Sequence, residues 1–198
     1  GESIIKEMFY KFIQNKFCLV FVFFIGIFLL PSLTFSATLS LSPSSVSTTV
    51  GNIVSLNVLT NTSGKYINNS DAIIQFPTDL LEVISISMNP SIFSLWVEEP
   101  SFSNISGIIT YNGGIASPGY SGTNGNIATI TFRTKKAGIA SVVYQDGAVR
   151  ANDGLGTDIL TSDSGSTITI AITENPVAPE ISNGNLNLAK PIIYSSTH

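Results

Sequence analysis

Between Thr38 and Ile172 apolar and polar residues alternate with a period of two in a series of short runs, and no twelve-residue window convincingly places apolar side chains at i, i+3, i+4 and i+7. Such alternation turns every second side chain to the same side of an extended chain, so it suits half-buried strands and cannot build the apolar stripe of a helix. The runs are Thr38–Ser42, Ile53–Leu59, Ala72–Phe76, Leu81–Ser87, Gly107–Tyr111, Ile127–Arg133, Ile139–Tyr144 and Thr167–Ile172. They are rich in Val, Ile, Thr and aromatic residues, and Gly, Asn, Ser and Pro separate them. With no helix to cover a sheet, about eight or nine strands must bury their apolar faces against each other. The expectation is an all-β chain, an antiparallel β-sandwich over residues 37–173.

The segment before it has another character. Fourteen apolar residues, Phe17 to Leu30, follow Lys11 and Lys16, and Pro31 with Thr34, Ser36 and Ala37 comes after them. A basic start, a short apolar core and small residues at a cleavage site describe a secretory signal peptide. Extended through Phe35, the run approaches the roughly 20 residues of a membrane anchor. Residues 1–36 are therefore read as a signal peptide or an uncleaved anchor, the one expected link to a membrane, and the body after Ala37 as secreted or held at the cell surface. Residues 1–7 precede Met8, a plausible initiator, and read as upstream sequence outside the fold. Cys18 opens the apolar core and belongs to the leader.

Beyond Thr173, a Pro/Asn/Gly linker leads to Ala189-Lys-Pro-Ile-Ile-Tyr194, which reads as the truncated start of a further module. Residues 174–198 thus suggest a longer, multidomain chain. Composition narrows the chemistry. From Ala37 on there are six Lys/Arg against eleven Asp/Glu, no Cys, and a single His at position 198. A nucleic-acid binder is too basic to match that balance. A disulfide framework, a thiolate zinc site, a Cys nucleophile and a His-based triad all lack their residues.

The most informative segment is Asn69-Ser-Asp-Ala-Ile-Ile-Gln-Phe-Pro-Thr-Asp-Leu-Leu-Glu82. Ala72, Ile74 and Phe76 point opposite to Ile73 and Gln75, Pro77-Thr78-Asp79 turns the chain, and Leu81 and Val83 re-enter the core. This segment resembles the strand–turn–strand signature of cohesin domains, with Pro77-Thr78 where that family more often has Asp-Pro. Ser47–Val54 resembles the family's Gly-containing hairpin. Asn126–Phe132 is similar to its late strand, and Gly138–Tyr144 with Gly147–Asp153 to its pair of short elements before the last strand. The resemblance spans Ala37 to Thr173. It implies a nine-stranded jelly-roll sandwich without catalysis or a required cofactor, which binds a dockerin module or acts at the surface in polysaccharide-degrading assemblies. It also implies partner-binding roles for Asn69 and Asp71, since cohesins use an Asn and an Asp two apart on one strand. Residues of these types also begin strands simply as turn formers, so both readings stand open.

Other candidates are weaker. Glu98 and Glu99 are adjacent, whereas a glycosidase needs two carboxylates facing each other about 5 to 9.5 Å apart. Trp96 and Tyr120 fall in low-periodicity stretches, 89–106 and 116–125, that read as loops, where exposed rings could stack on sugars. Tyr111 and Tyr144 lie within strands and read as core. Asp146, Asp153, Asp158 and Asp163 form a Gly-rich acidic run open to calcium, though the spacing matches no EF-hand. The readings carried forward are a dockerin-binding cohesin-like module, a polysaccharide-binding module using Trp96 and Tyr120, and a structural spacer.

Overall fold

A computed structural model describes residues 2–7, 10–11 and 36–172. The expected leader core and the linker with its further module lie outside the described residues. Residues 2–7 and 10–11 are helical, and no described helix is long and apolar enough to cross a membrane.

The body is all-β, in two packed sheets. Its strands are β1 (Ala37–Ser42), β2 (Ser45–Thr49), β3 (Ile53–Asn61), β4 (Ile67–Gln75), β5 (Leu81–Ser87), β6 (Leu95–Ser103), β7 (Ile108–Gly114), β8 (Gly125–Thr134), β9 (Gly138–Ala151), β10 (Leu160–Ser164) and β11 (Ser166–Ala171). One sheet has the order β10-β1-β3-β8-β5 and the other β2-β11-β9-β4-β7-β6. The alternation read from the sequence is the burial pattern. On β3, Val54, Leu56 and Val58 are buried while Ile53, Ser55 and Asn57 are exposed. Leu39, Leu56, Ile74, Ile130, Phe132 and Ile168 fill the space between the sheets, each burial stabilising by about 1.5–3 kcal/mol. Phe76 meets Phe132 edge-on at 5.5 Å.

Four expectations need correction. The described strands number eleven rather than nine, because the alternating runs leave out β2, β6 and β10; β2 and β10 are short strands that bends at Pro43 and Gly165 set in the sheet opposite to their chain neighbours β1 and β11. The sandwich is not purely antiparallel: β1 runs parallel to β10, and β2 parallel to β11. Parallel neighbours need a long connection, and here nearly the whole domain supplies it, tying its first strands to its last. Ser47–Val54 is not a hairpin, since β2 and β3 lie in different sheets. The two short elements expected after Gly138 are one continuous strand, β9, whose first half pairs with β11 and whose second half pairs with β4. A bulge at Gln145 lets it do both.

The 89–106 stretch is also not all loop. Residues 95–103 form β6, the edge of the six-stranded sheet, and two bulges interrupt its pairing with β7. Those irregularities erase the period-two signal, which is why the segment reads as unstructured. At its far end Gly107 turns the chain at φ +72°, and a Cβ there would stand 2.3 Å from the Phe76 carbonyl.

Candidate functional site

Strand β4 lies between β9 and β7 in the six-stranded sheet. Ser70, Ala72 and Ile74 point inward and are buried, so Asn69, Asp71, Ile73 and Gln75 emerge on the outer face. The register sets their neighbours. Asn69 stands between Arg150 of β9 and Gly114 of β7, Asp71 between Ala148 and Asn112, and Ile73 between Asp146 and Thr110.

Four side chains from three strands join there. Asn69 Nδ2 donates to Asn112 Oδ1 at 2.7 Å and to the Gly113 carbonyl at 2.9 Å. Arg150 Nη1 donates to Asn69 Oδ1 at 2.7 Å and also to Asp71 Oδ1, making an ion pair. The side chains of Arg150 and Asp71 keep 37% and 33% of their surface accessible, so the pair adds about 1 kcal/mol or less to stability. Next to it, Thr110 Oγ1 donates to Glu98 Oε1 at 2.7 Å. A shallow depression of about 230 Å³ opens over this centre, lined by Asp71, Ile73, Glu98, Thr110, Asn112 and Asp146. Exposed apolar side chains flank it on the same face: Leu95 on β6, Ile73 on β4 and Val143 on β9.

The structure thus brings Asn69 and Asp71 together on one face. It adds Arg150 and Asn112, which the sequence reading passed over. Asn112 carries no distinguishing signal in its own strand. Arg150 carries a faint one, as a lone cation in the otherwise small and apolar run Gly147–Ala151.

Beneath this face a few inward residues are polar. Ser70 Oγ lies 3.3 Å from the Tyr111 hydroxyl. Burial pushes the Tyr111 phenol well up, with the Asp71 charge adding to the rise and the Ser70 hydrogen bond opposing it. Tyr144 is raised too, mainly by burial and then by the neighbouring Tyr111 and Asp163.

Trp96 and Tyr120 do not form a platform. Trp96 sits on β6 rather than in a loop and faces inward opposite Gly113, edge-on to Phe93 at 6.0 Å. Tyr120 packs over Gly122 and Gly125 and bridges Ile67 through the backbone. Both rings are half-buried against the core. Glu98 and Glu99 are neighbours on β6, Glu98 facing Asn112. Three carboxylates of the acidic run serve their own turns: Asp146 accepts from Gly147 N–H, Asp153 from Leu155 N–H, and Asp158 from the N–H groups of Val149 and Leu160. Among the described residues no group of three or more His, Cys, Asp or Glu side chains is placed to hold a metal ion.

No family model and no curated protein matches the chain. Solved structures do. A type I cohesin–dockerin complex from Clostridium thermocellum matches with a TM-score of 0.59 at 12% identity, covering 72% of this chain and 96% of the other. A non-cellulosomal cohesin from the hyperthermophilic archaeon Archaeoglobus fulgidus matches with a TM-score of 0.55 at 16% identity, covering 69% and 91%. The seventh ScaB type I cohesin from Pseudobacteroides cellulosolvens matches with a TM-score of 0.56 at 19% identity, covering 71% and 95%.

Proposed function

The body of this chain has a cohesin-type fold, and we propose that it works as a non-catalytic binding module that captures a dockerin-type protein module on the outer face of its six-stranded sheet. The observation that carries this reading is the placing of Asn69 and Asp71 at adjacent outward positions of β4, in the middle of that face. Polar groups at the centre with exposed Leu95, Ile73 and Val143 around them suit a protein partner, because apolar contacts supply affinity and the polar centre sets register. The alternating body behind an apolar leader supports export, by secretion or at the cell surface in a polysaccharide-degrading assembly. A linker after Thr173 supports a place in a longer chain.

Calorimetric titration of the whole chain with dockerin modules tests the reading. Saturable binding that Asp71→Ala weakens at least tenfold supports it. Binding that ignores Asp71 and Ile73 alike sinks it.

One observation favours the second reading, contact with polysaccharide, and it lies away from Trp96 and Tyr120. Tyr66, 56% exposed, borders a concavity of about 440 Å³ with Lys65, Asn152, Asp153, Leu155 and Thr157. An aromatic face beside hydrogen-bonding groups is the chemistry that holds a sugar ring. Retention on insoluble polysaccharide that Tyr66→Ala abolishes would favour this reading over the first.

A further inference from the structure

Asn69 has little left to offer a partner. Both of its amide N–H donors are taken, by Asn112 Oδ1 and the Gly113 carbonyl, and its Oδ1 accepts from Arg150. Asp71 is likewise engaged, because the Arg150 ion pair takes one of its oxygens and offsets its charge. Arg150 is different. A guanidinium carries five N–H donors in a rigid fork, and here Nη1 alone serves Asn69 and Asp71. Among the described residues no partner takes its Nη2 and Nε donors, and the side chain is 37% accessible at the outer face.

The position of Arg150 is fixed twice over. Its side chain is held from β4. Its backbone bridges Asp158, while Asp158 Oδ1 accepts from Val149 N–H at 3.0 Å and Ala151 N–H donates to the Thr157 carbonyl at 2.9 Å. A preorganised fork costs little further entropy when it binds.

We infer that Arg150 is the specificity-determining residue of this face: Asn69 and Asp71 position its guanidinium, and the dockerin-type partner meets it with a carboxylate or a carbonyl cluster. This rests on the dockerin reading above and changes its polar contact. The partner faces a cation seated by the Asn–Asp pair, rather than the pair itself.

The test is selection from a display library of dockerin modules, built on the dockerin of the Clostridium thermocellum complex and diversified over its surface, against the immobilised whole chain. Binders should carry an Asp or Glu that they require. Arg150→Ala should weaken them about 30-fold or more, and Asn69→Ala by less than about tenfold, because Asp71 still holds the guanidinium. Selection against Arg150→Glu should return Lys or Arg at the same binder position, a reversal that loss of folding cannot produce. Thermal melting of each variant checks that the sandwich is intact. Binders that are lost on Ile73→Asp yet tolerate Arg150→Ala would overturn the role of Arg150 and leave the dockerin reading standing. If no dockerin binds, or binders ignore Ile73→Asp as well, the dockerin reading itself falls and this inference falls with it.

Discussion

Trp96 on β6 packs so tightly over Gly113 on β7 that a Cβ at residue 113 would stand 2.6 Å from the indole Cζ3 and 2.7 Å from the Phe93 ring. A glycine on the neighbouring strand therefore makes room for the indole, and the ring anchors an edge strand whose ladder is twice bulged.

Two substitutions read this contact. Gly113→Ala forces the indole or Phe93 to shift and should destabilise the chain by about 1–3 kcal/mol. Trp96→Ala removes the anchor and should cost about 2 kcal/mol or more. Chemical denaturation measures both. A Trp96→Ala chain of unchanged stability would mean that the ring is free for a ligand after all.

Buried phenols predict alkaline behaviour. Tyr111 and Tyr144 both have their pKa raised, chiefly by burial. For a group raised on folding, the stabilisation is full below the unfolded value of about 10 and is lost as the pH climbs through the folded value. Ultraviolet titration should show these two phenols ionising only as the fold opens, and Tyr111→Phe should flatten the loss of stability above about pH 10. The Tyr144 hydroxyl is buried with no partner among the described residues. Tyr144→Phe should therefore shift stability by less than about 1 kcal/mol, or raise it. Smooth titration of both phenols in the folded chain would contradict their burial.

Acid acts on the loop between β9 and β10. The Asp153 carboxylate accepts from the Thr157 side chain and the Leu155 N–H, which holds its pKa below the usual carboxylate value. A depressed group stabilises above its unfolded pKa and loses that contribution as the pH falls through the folded one. Amide exchange at Leu155 should thus accelerate below about pH 4 relative to neighbouring strands. Asp153→Asn should abolish the pH dependence. An exchange profile identical in the two proteins would remove Asp153 from the account.

The exposed apolar side chains of the outer face carry a prediction about binding alone. Ile73 and Val143 are 36% and 41% exposed, so Ile73→Asp and Val143→Asp should leave the melting temperature nearly unchanged. Partner affinity should fall tenfold or more, which is about 1.4 kcal/mol. Equal losses of stability and affinity would place these residues in the core instead.

Some of this was legible in the chain itself. Alternation in β1 and β3 states which side chains are buried, because each strand has one face on the core; in β5 and β8 it does so on either side of a single irregularity in their pairing. The Pro77–Asp79 turn follows from its residue types, and the outward placing of Asn69 and Asp71 from the same period. β6 was hidden because bulges break its period, and Trp96 was placed in a loop rather than on a strand for the same reason. Arg150 and Asn112 were invisible for a different reason. They lie 81 and 43 residues from Asn69 in sequence, and hydrogen bonds across strands depend on register rather than on local pattern.

By itself, then, the sequence determined an all-β body with its inward and outward residues, since a strand's side chains alternate whatever its neighbours are. Only the tertiary structure decided which strands became neighbours: the parallel closure of β1 on β10 and β2 on β11, the single long β9, and the meeting of Arg150 with Asn69 and Asp71. Pairing and register are settled by the packing of the whole core and by bulges such as that at Gln145, and a one-residue slip there would carry Arg150 to the other face of the sheet.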